Sequence, residues 1–216
     1  MAMPTRHYSP ADKFLMHLDT GLRTVFGRPR VTERPNPAEN VDEAELTPAE
    51  KDLAGRLMRI NHAGEVAAQG LYEGQALTAR LPHVRDKMER AAMEENDHLA
   101  WCESRIDELG SHKSLLNPLW YGGSLAIGAI AGLAGDKWSL GFVTETERQV
   151  VRHLDSHLTQ LSDKDHKSRA ILEKMKEDEG HHATTALHAG GAELPAPIKK
   201  LMALTSRVMT KTAFRF

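Results

Sequence analysis

The chain has 216 residues, enough for one domain with a substantial core. Its formal charge of −2 supplies no basic field for nucleic acid, so no nucleic-acid partner is expected. The single cysteine, Cys102, excludes an intrachain disulfide and any cysteine-built zinc or iron–sulfur cage, and it suits a reducing compartment. The first residues lack a basic-then-apolar export pattern, while the 12 histidines direct attention to metal ligation.

Residues 1–47 are rich in proline and charge and read as an N-terminal extension and linker. They contain one short amphipathic piece (Phe14, Leu15, Leu18, Leu22, Val25, Phe26), expected to dock on the surface, and RPNPAENVDEAE (34–45) reads as the linker itself. Residues 48–216 form the second unit. It opens on TPAE (47–50), with Thr47 as N-cap, Pro48 at the first helical position and Glu50 closing a capping box. Apolar periodicity then predicts bundle helices over about 48–80, 83–109, 139–161 and 167–189. An apolar crossover separates the second from the third, a short helix follows ELPAP, and no segment reads as a strand. The expected fold is all-α.

The stretch MEENDHLAW (93–101) places polar groups where a core should be. Glu95 falls in the stripe of Met88, Ala91, Leu99 and Cys102, with His98 one turn further on. A lone buried carboxylate costs several kcal/mol unless it is paired or binds a metal. DEGHH (178–182) repeats the pattern: Glu179 and His182 have the same spacing, in a stripe with Leu172, Met175 and Ala186. Each preceding helix offers one inward carboxylate, Glu65 and Glu147. Glu147 is preferred to Glu145 because it aligns with Val143, Val150, Val151 and Leu154, whereas 145 aligns with Arg148, Gln149 and Arg152 on the expected solvent side. At ~1.5 Å per residue, the two helical hairpins bring all six groups to nearly one level.

Four carboxylates and two imidazoles at one depth form the di-iron carboxylate arrangement of ferritin-like bundles, one Glu from each of two helices and Glu-x-x-His from each of the others. The predicted metal ligands are Glu65, Glu95, His98, Glu147, Glu179 and His182, with Glu95 and Glu179 bridging, Glu65 and Glu147 terminal, and one imidazole per metal. Carboxylate and imidazole without thiolate suit iron or manganese. Among their neighbours, His62 and His153 are expected to support rather than ligate, and Glu94, Asp97 and His181 to face solvent. Gly64, Gly70 and Gly74 cost about 1 kcal/mol each within a helix, which points to close helix approach or substrate access near Glu65.

Residues 114–135 carry no charge. A single membrane crossing there would put the two halves of the metal site on opposite sides of the bilayer, so an apolar surface dipping into one leaflet is expected instead, with Trp120, Tyr121 and Trp138 at the interface. The segment IKKLMALTSRVMTKTAFRF (198–216) is basic and amphipathic, and it suits an anionic membrane surface.

At RINHAGE (59–65), LYEGQ (71–75), the Glu95-to-His98 step and the tail GGAELPAPIKKLM, the sequence resembles the demethoxyubiquinone hydroxylases of ubiquinone biosynthesis, from about Leu53 to the C-terminus. The resemblance implies a ferritin-like four-helix bundle with extra N- and C-terminal helices, and the same six residues as ligands of two iron ions. It also implies O2-dependent hydroxylation of a polyprenylated methoxy-methylbenzoquinol ring with electrons from an external donor, NADH being a candidate. The partners implied are the quinol, a membrane surface and other proteins of ubiquinone biosynthesis, with self-association left open. The location implied is the cytoplasmic face of a bacterial cell membrane, or the matrix face of the mitochondrial inner membrane in a eukaryote. Arg148 and Leu154 stand where family members often carry a second Glu and a tyrosine. The rival readings are a ferritin-like iron-storage protein, or a di-iron hydroxylase or peroxidase acting on another substrate; storage predicts a polar cage-forming surface rather than an uncharged crossover.

Overall fold

The computed structural model describes residues 9–28 and 33–216, which form seven helices and no strand. They are α1 (Pro10–Phe26), α2 (Pro48–Thr78), α3 (Pro82–Glu108), α4 (Asn117–Leu133), α5 (Asp136–Gln160), α6 (His166–His188) and α7 (Ala196–Ala213). The bundle helices α2, α3, α5 and α6 begin and end within a few residues of the positions expected from periodicity, and the all-helical fold with extra terminal helices is as expected. Residues 1–8 and 29–32 and the side chain of Phe14, all within the expected N-terminal extension, lie outside the description.

Local chemistry sets the helix ends. Thr47 accepts from the Glu50 backbone N–H, and Glu50 accepts in return from the Thr47 N–H at 2.8 Å, completing the capping box. Asp136, at the start of α5, accepts from the backbone N–H groups of Arg80 and Leu81 at 3.0 and 2.8 Å, which ties the α2–α3 turn to the beginning of the second hairpin.

α2 pairs with α3, and α5 with α6, as two hairpins joined by α4. α4 lies along α2, and glycines make this approach possible. A Cβ at Gly70 would overlap the Tyr121 carbonyl oxygen, one at Gly74 the Leu125 carbonyl, and one at Gly128 the Leu71 carbonyl. Gly64 differs, with nothing within 4 Å of its missing side chain.

The 34–45 run connects α1 to α2 and also packs on the bundle. Ala38 and Leu46 are buried, and Glu43 pairs with the buried Arg105, which also donates to Asp165 at 2.8 Å. α1 docks through Val25, which packs with Val66 and Leu99, and through His17 Nδ1, 2.7 Å from Glu73. Its Leu15, Leu18, Leu22 and Phe26 remain exposed. Among the described residues no helix is long and apolar enough to cross a membrane.

Candidate metal centre

Two apolar clusters fill the ends of the bundle. One contains Met58, Cys102, Leu154 and Leu172, and the other contains Tyr72, Met88, Leu140 and Ala186. Each of Glu65, Glu95, Glu147 and Glu179 lies two helical turns from one member of each cluster, on its own helix. The helix stripes are therefore continuous, and the four carboxylates form one anionic layer between two apolar ones.

All six predicted residues meet in that layer. The ligand atoms of Glu65, Glu95, His98 and Glu179 lie within 4.8 Å of one another, as do those of Glu95, Glu147, Glu179 and His182. Glu95 and Glu179 belong to both groups. His98 Nδ1 is 2.7 Å from Glu95 and 3.2 Å from Glu179. His182 Nδ1 is 3.2 Å from Glu95 and 3.4 Å from Glu179. Each imidazole turns its other nitrogen outward: His98 Nε2 donates to Asp178 at 3.0 Å, and His182 Nε2 to Glu94 at 2.7 Å. Tyr72, fully buried, donates its hydroxyl proton to Glu147 Oε1.

The electrostatics are those of a site built for added positive charge. Burial, with Glu95 alongside, raises Glu65 well above the usual carboxylate range, and burial with Glu179 alongside does the same to Glu147. Burial acts to raise Glu95 too, but the His98 and His182 imidazoles hold it below its ordinary value. Burial would lower both histidines; their carboxylate neighbours instead raise His98 well above its usual range and push His182 up to about 12. Glu95 Oε1, Glu179 Oε2 and His182 Nδ1 are buried without a hydrogen-bond partner and point into the same cluster. Orphaned oxygen and nitrogen donors of this kind, with no sulfur among them, fit hard or borderline divalent cations.

Two cavities reach the layer. An apolar one of about 290 Å³ between α2, α4, α5 and α7 has Gly64, Glu65, Trp120 and Leu201 in its wall. A second, of about 450 Å³, lies on the α3–α6 side and is lined by Tyr72, Arg90, Glu94 and His182.

Several neighbouring positions differ from expectation. Asp97 is fully buried, because Arg34 and the Glu33 backbone N–H cover it. Glu94 is partly buried and holds His182. Glu145 does not face solvent; it is buried against α7, near Lys199 and bonded to Gln149 at 2.9 Å. Trp120 and Tyr121 are half-buried against the bundle, and of these three aromatics Trp138 alone is exposed. His62 is buried outside the ligand groups, and burial with Lys113 nearby lowers it to about 3; His181 is exposed as expected. Asp178 escaped the sequence reading, although it precedes Glu179 as Glu94 precedes Glu95, and that parallel was the available signal.

The sequence model of the family described as "Ubiquinone biosynthesis protein COQ7" matches residues 52–213. A relative from Nitrosococcus oceani, named 3-demethoxyubiquinol 3-hydroxylase, is 60% identical over 98% of this chain and 99% of its own. Proteins of the same name from Stutzerimonas stutzeri and Acinetobacter baumannii are 59% and 56% identical, over 99% and 97% of this chain and 100% and 99% of theirs.

Proposed function

Because this chain belongs to the family of ubiquinone biosynthesis protein COQ7, we propose that it is a 3-demethoxyubiquinol 3-hydroxylase, a monooxygenase acting on a polyprenylated quinol. The observation that carries the reading is the pair of ligand groups sharing Glu95 and Glu179, beside an apolar cavity that has Glu65 in its wall. A soluble hydroxylase of polar substrates has no use for such a cavity rimmed by exposed apolar helices, and an iron store does not need one.

In this reading, Glu65 and His98 would hold one iron and Glu147 and His182 the other, with Glu95 and Glu179 available to both. When bound, the irons would supply redox chemistry in which dioxygen, with two electrons from an external reductant, gives one oxygen atom to the ring and the other to water. The remaining work belongs to the chain. Asp178 and Glu94 keep the Nε2 protons of the two imidazoles, which leaves each Nδ1 for a cation. Tyr72 fixes the orientation of Glu147. The cavity wall excludes water from the ring, and Gly64 leaves space beside Glu65.

The prenyl tail is assigned to lipid. Ile127 and Leu201 line the cavity and are also exposed; Ile130, Leu133, Leu204 and Val208 extend the apolar surface on α4 and α7. The basic residues of α7 and the tail beyond it suit the anionic cytoplasmic leaflet, so the protein is read as peripheral to the membrane. The test is genetic and chemical. Deleting the gene should stop ubiquinone synthesis and accumulate the ring lacking one methoxy group, with recovery from the intact gene but not from Glu147→Ala. Normal ubiquinone in a deletion strain that has no second hydroxylase would refute the reading.

A further inference from the structure

The residues that orient the two imidazoles are held in different ways. Glu94, which receives the His182 proton, is held by Arg90 from one turn earlier on the same helix, at 2.9 Å; Arg90 is in turn paired with the Glu33 side chain of the strap at 2.8 Å, a contact that does not involve Arg34. Asp178, which receives the His98 proton, is held from outside the bundle. Arg34, in the strap between α1 and α2, donates from Nη1 to Asp178 Oδ2 at 2.6 Å, and His98 Nε2 donates to that same oxygen at 3.0 Å. The other arm of the guanidinium, Nε, donates at 2.6 Å to Asp97, which is fully buried and further fixed by the Glu33 backbone N–H at 2.7 Å. The guanidinium also stacks 5.0 Å from the Trp101 ring, whose centroid is 5.3 Å from that of His98. We infer that Arg34 is a positioning residue for His98, acting through Asp178, and so controls one of the two cation sites and not the other.

The inference rests on the metal reading of the six-residue cluster. Its physical basis is competition for Asp178. Lys174, one turn earlier on α6 and partly exposed, is 3.1 Å from Asp178 Oδ1 and draws the carboxylate toward solvent. Arg34 opposes that pull from an anchor in the buried Asp97, and its planar fork serves both carboxylates at once, which a lysine cannot do. Without it, His98 loses the fixed acceptor that sets the direction of Nδ1. Arg34 lies outside the range 52–213 matched by the family model, so the family pattern does not assign it this role.

The test uses the full metal-free chain and Co2+ as the probe, followed by titration and by the cobalt absorption spectrum. The two sites are separated by background. Glu147→Gln weakens the His182 side, so the His98 side dominates the titration; Glu65→Gln does the reverse. Arg34→Gln should weaken Co2+ binding by about tenfold in the Glu147→Gln background, the size expected when a ligand's hydrogen-bond partner is lost, and shift the cobalt spectrum. It should change binding less than about twofold in the Glu65→Gln background. Arg34→Lys should recover only part of the loss, and Arg34→Gln should add nothing once Asp178→Asn is present. If Arg34→Gln impairs folding, Asp97→Asn, which removes the anchor while keeping its shape, should show the same asymmetry. Equal weakening in both backgrounds would reduce Arg34 to a structural staple, and no weakening in either would remove its role; each result overturns the inference. Failure of the parent chain to bind two Co2+ would instead overturn the metal reading, and this inference with it.

Discussion

His182 of α6 donates its Nε2 proton to Glu94 of α3 at 2.7 Å, and the reciprocal bond runs from His98 of α3 to Asp178 of α6 at 3.0 Å. Each acceptor immediately precedes the Glu of the Glu-x-x-His step on its own helix, yet it serves the imidazole of the opposite hairpin. The ligand layer is thus cross-braced, so α3 and α6 cannot slide past one another without breaking both bonds. Sharing of Glu95 and Glu179 by both ligand groups has a direct stoichiometric consequence. Protein purified with iron supplied should hold about two irons per chain; Glu95→Ala or Glu179→Ala should lose nearly all metal and activity. Glu65→Ala and Glu147→Ala should each lose about half the metal. Elemental analysis decides it, and full occupancy in Glu95→Ala would remove that residue from the shared position.

The α2–α4 contact makes a sharp prediction about glycines. Gly128→Ala would drive a methyl group into the Leu71 carbonyl and should destabilise the chain by about 1–3 kcal/mol. Gly122→Ala, on the same helix but with nothing within 4 Å, should instead stabilise it by up to about 1 kcal/mol. Urea unfolding of the two variants should therefore move in opposite directions; matching shifts would mean that α4 does not sit against α2 as described.

Acid should act through buried histidine. Burial, with His153 nearby, lowers His157 to about 4 while its ring donates to Asn61 at 2.8 Å. A depressed histidine takes up its proton in the unfolded chain first, so its contribution is full above about pH 6.5 and is lost as pH falls toward 4. The stability difference between the parent and His157→Gln, both free of metal, should shrink by about 3 kcal/mol across that window. A difference that stays constant with pH would show that His157 is not held neutral.

The exposed apolar surface of α4 and α7 gives a third kind of test. Ile130→Asp and Leu204→Asp alter side chains that are 67% and 56% exposed, on helices that carry none of the six clustered residues, so metal content and fold should survive. Sedimentation with anionic liposomes should fall severalfold, and so should turnover of long-tailed quinols relative to short-tailed ones. Unchanged liposome binding would leave that surface to a protein partner instead.

The clustering of the six residues was legible because periodicity within one helix reports burial, and two Glu-x-x-His steps fell on stripes that were otherwise apolar. The errors occurred where burial comes from a segment distant in sequence. Asp97 lies on the side of α3 away from the stripe, and nothing in α3 itself says that Arg34 will cover that side. Glu145 was assigned to solvent by its own helix, and α7 closes over it from about 50 residues later in the chain. Glu94 sits one position from Glu95, at the flank of the stripe, where helical phase alone does not separate a hydrogen-bonding partner from a surface charge. Composition alone puts Trp120 and Tyr121 at a membrane interface, and it does not show that the glycine-lined approach of α4 to α2 leaves both half-buried against the bundle.

The placement of an anionic layer between two apolar ones bears on how long the protein lasts in a cell. The apolar ends can hold the four helices together before any cation arrives, but the empty layer keeps four carboxylates out of water at a standing cost. Cation binding there would remove that cost and add its own linkage free energy, so a loaded chain would unfold less often than an empty one. Proteolysis draws on the unfolded population. If the layer takes iron as proposed, a cell short of iron would clear the empty chains, and the amount of this protein would follow its metal supply without any change in transcription.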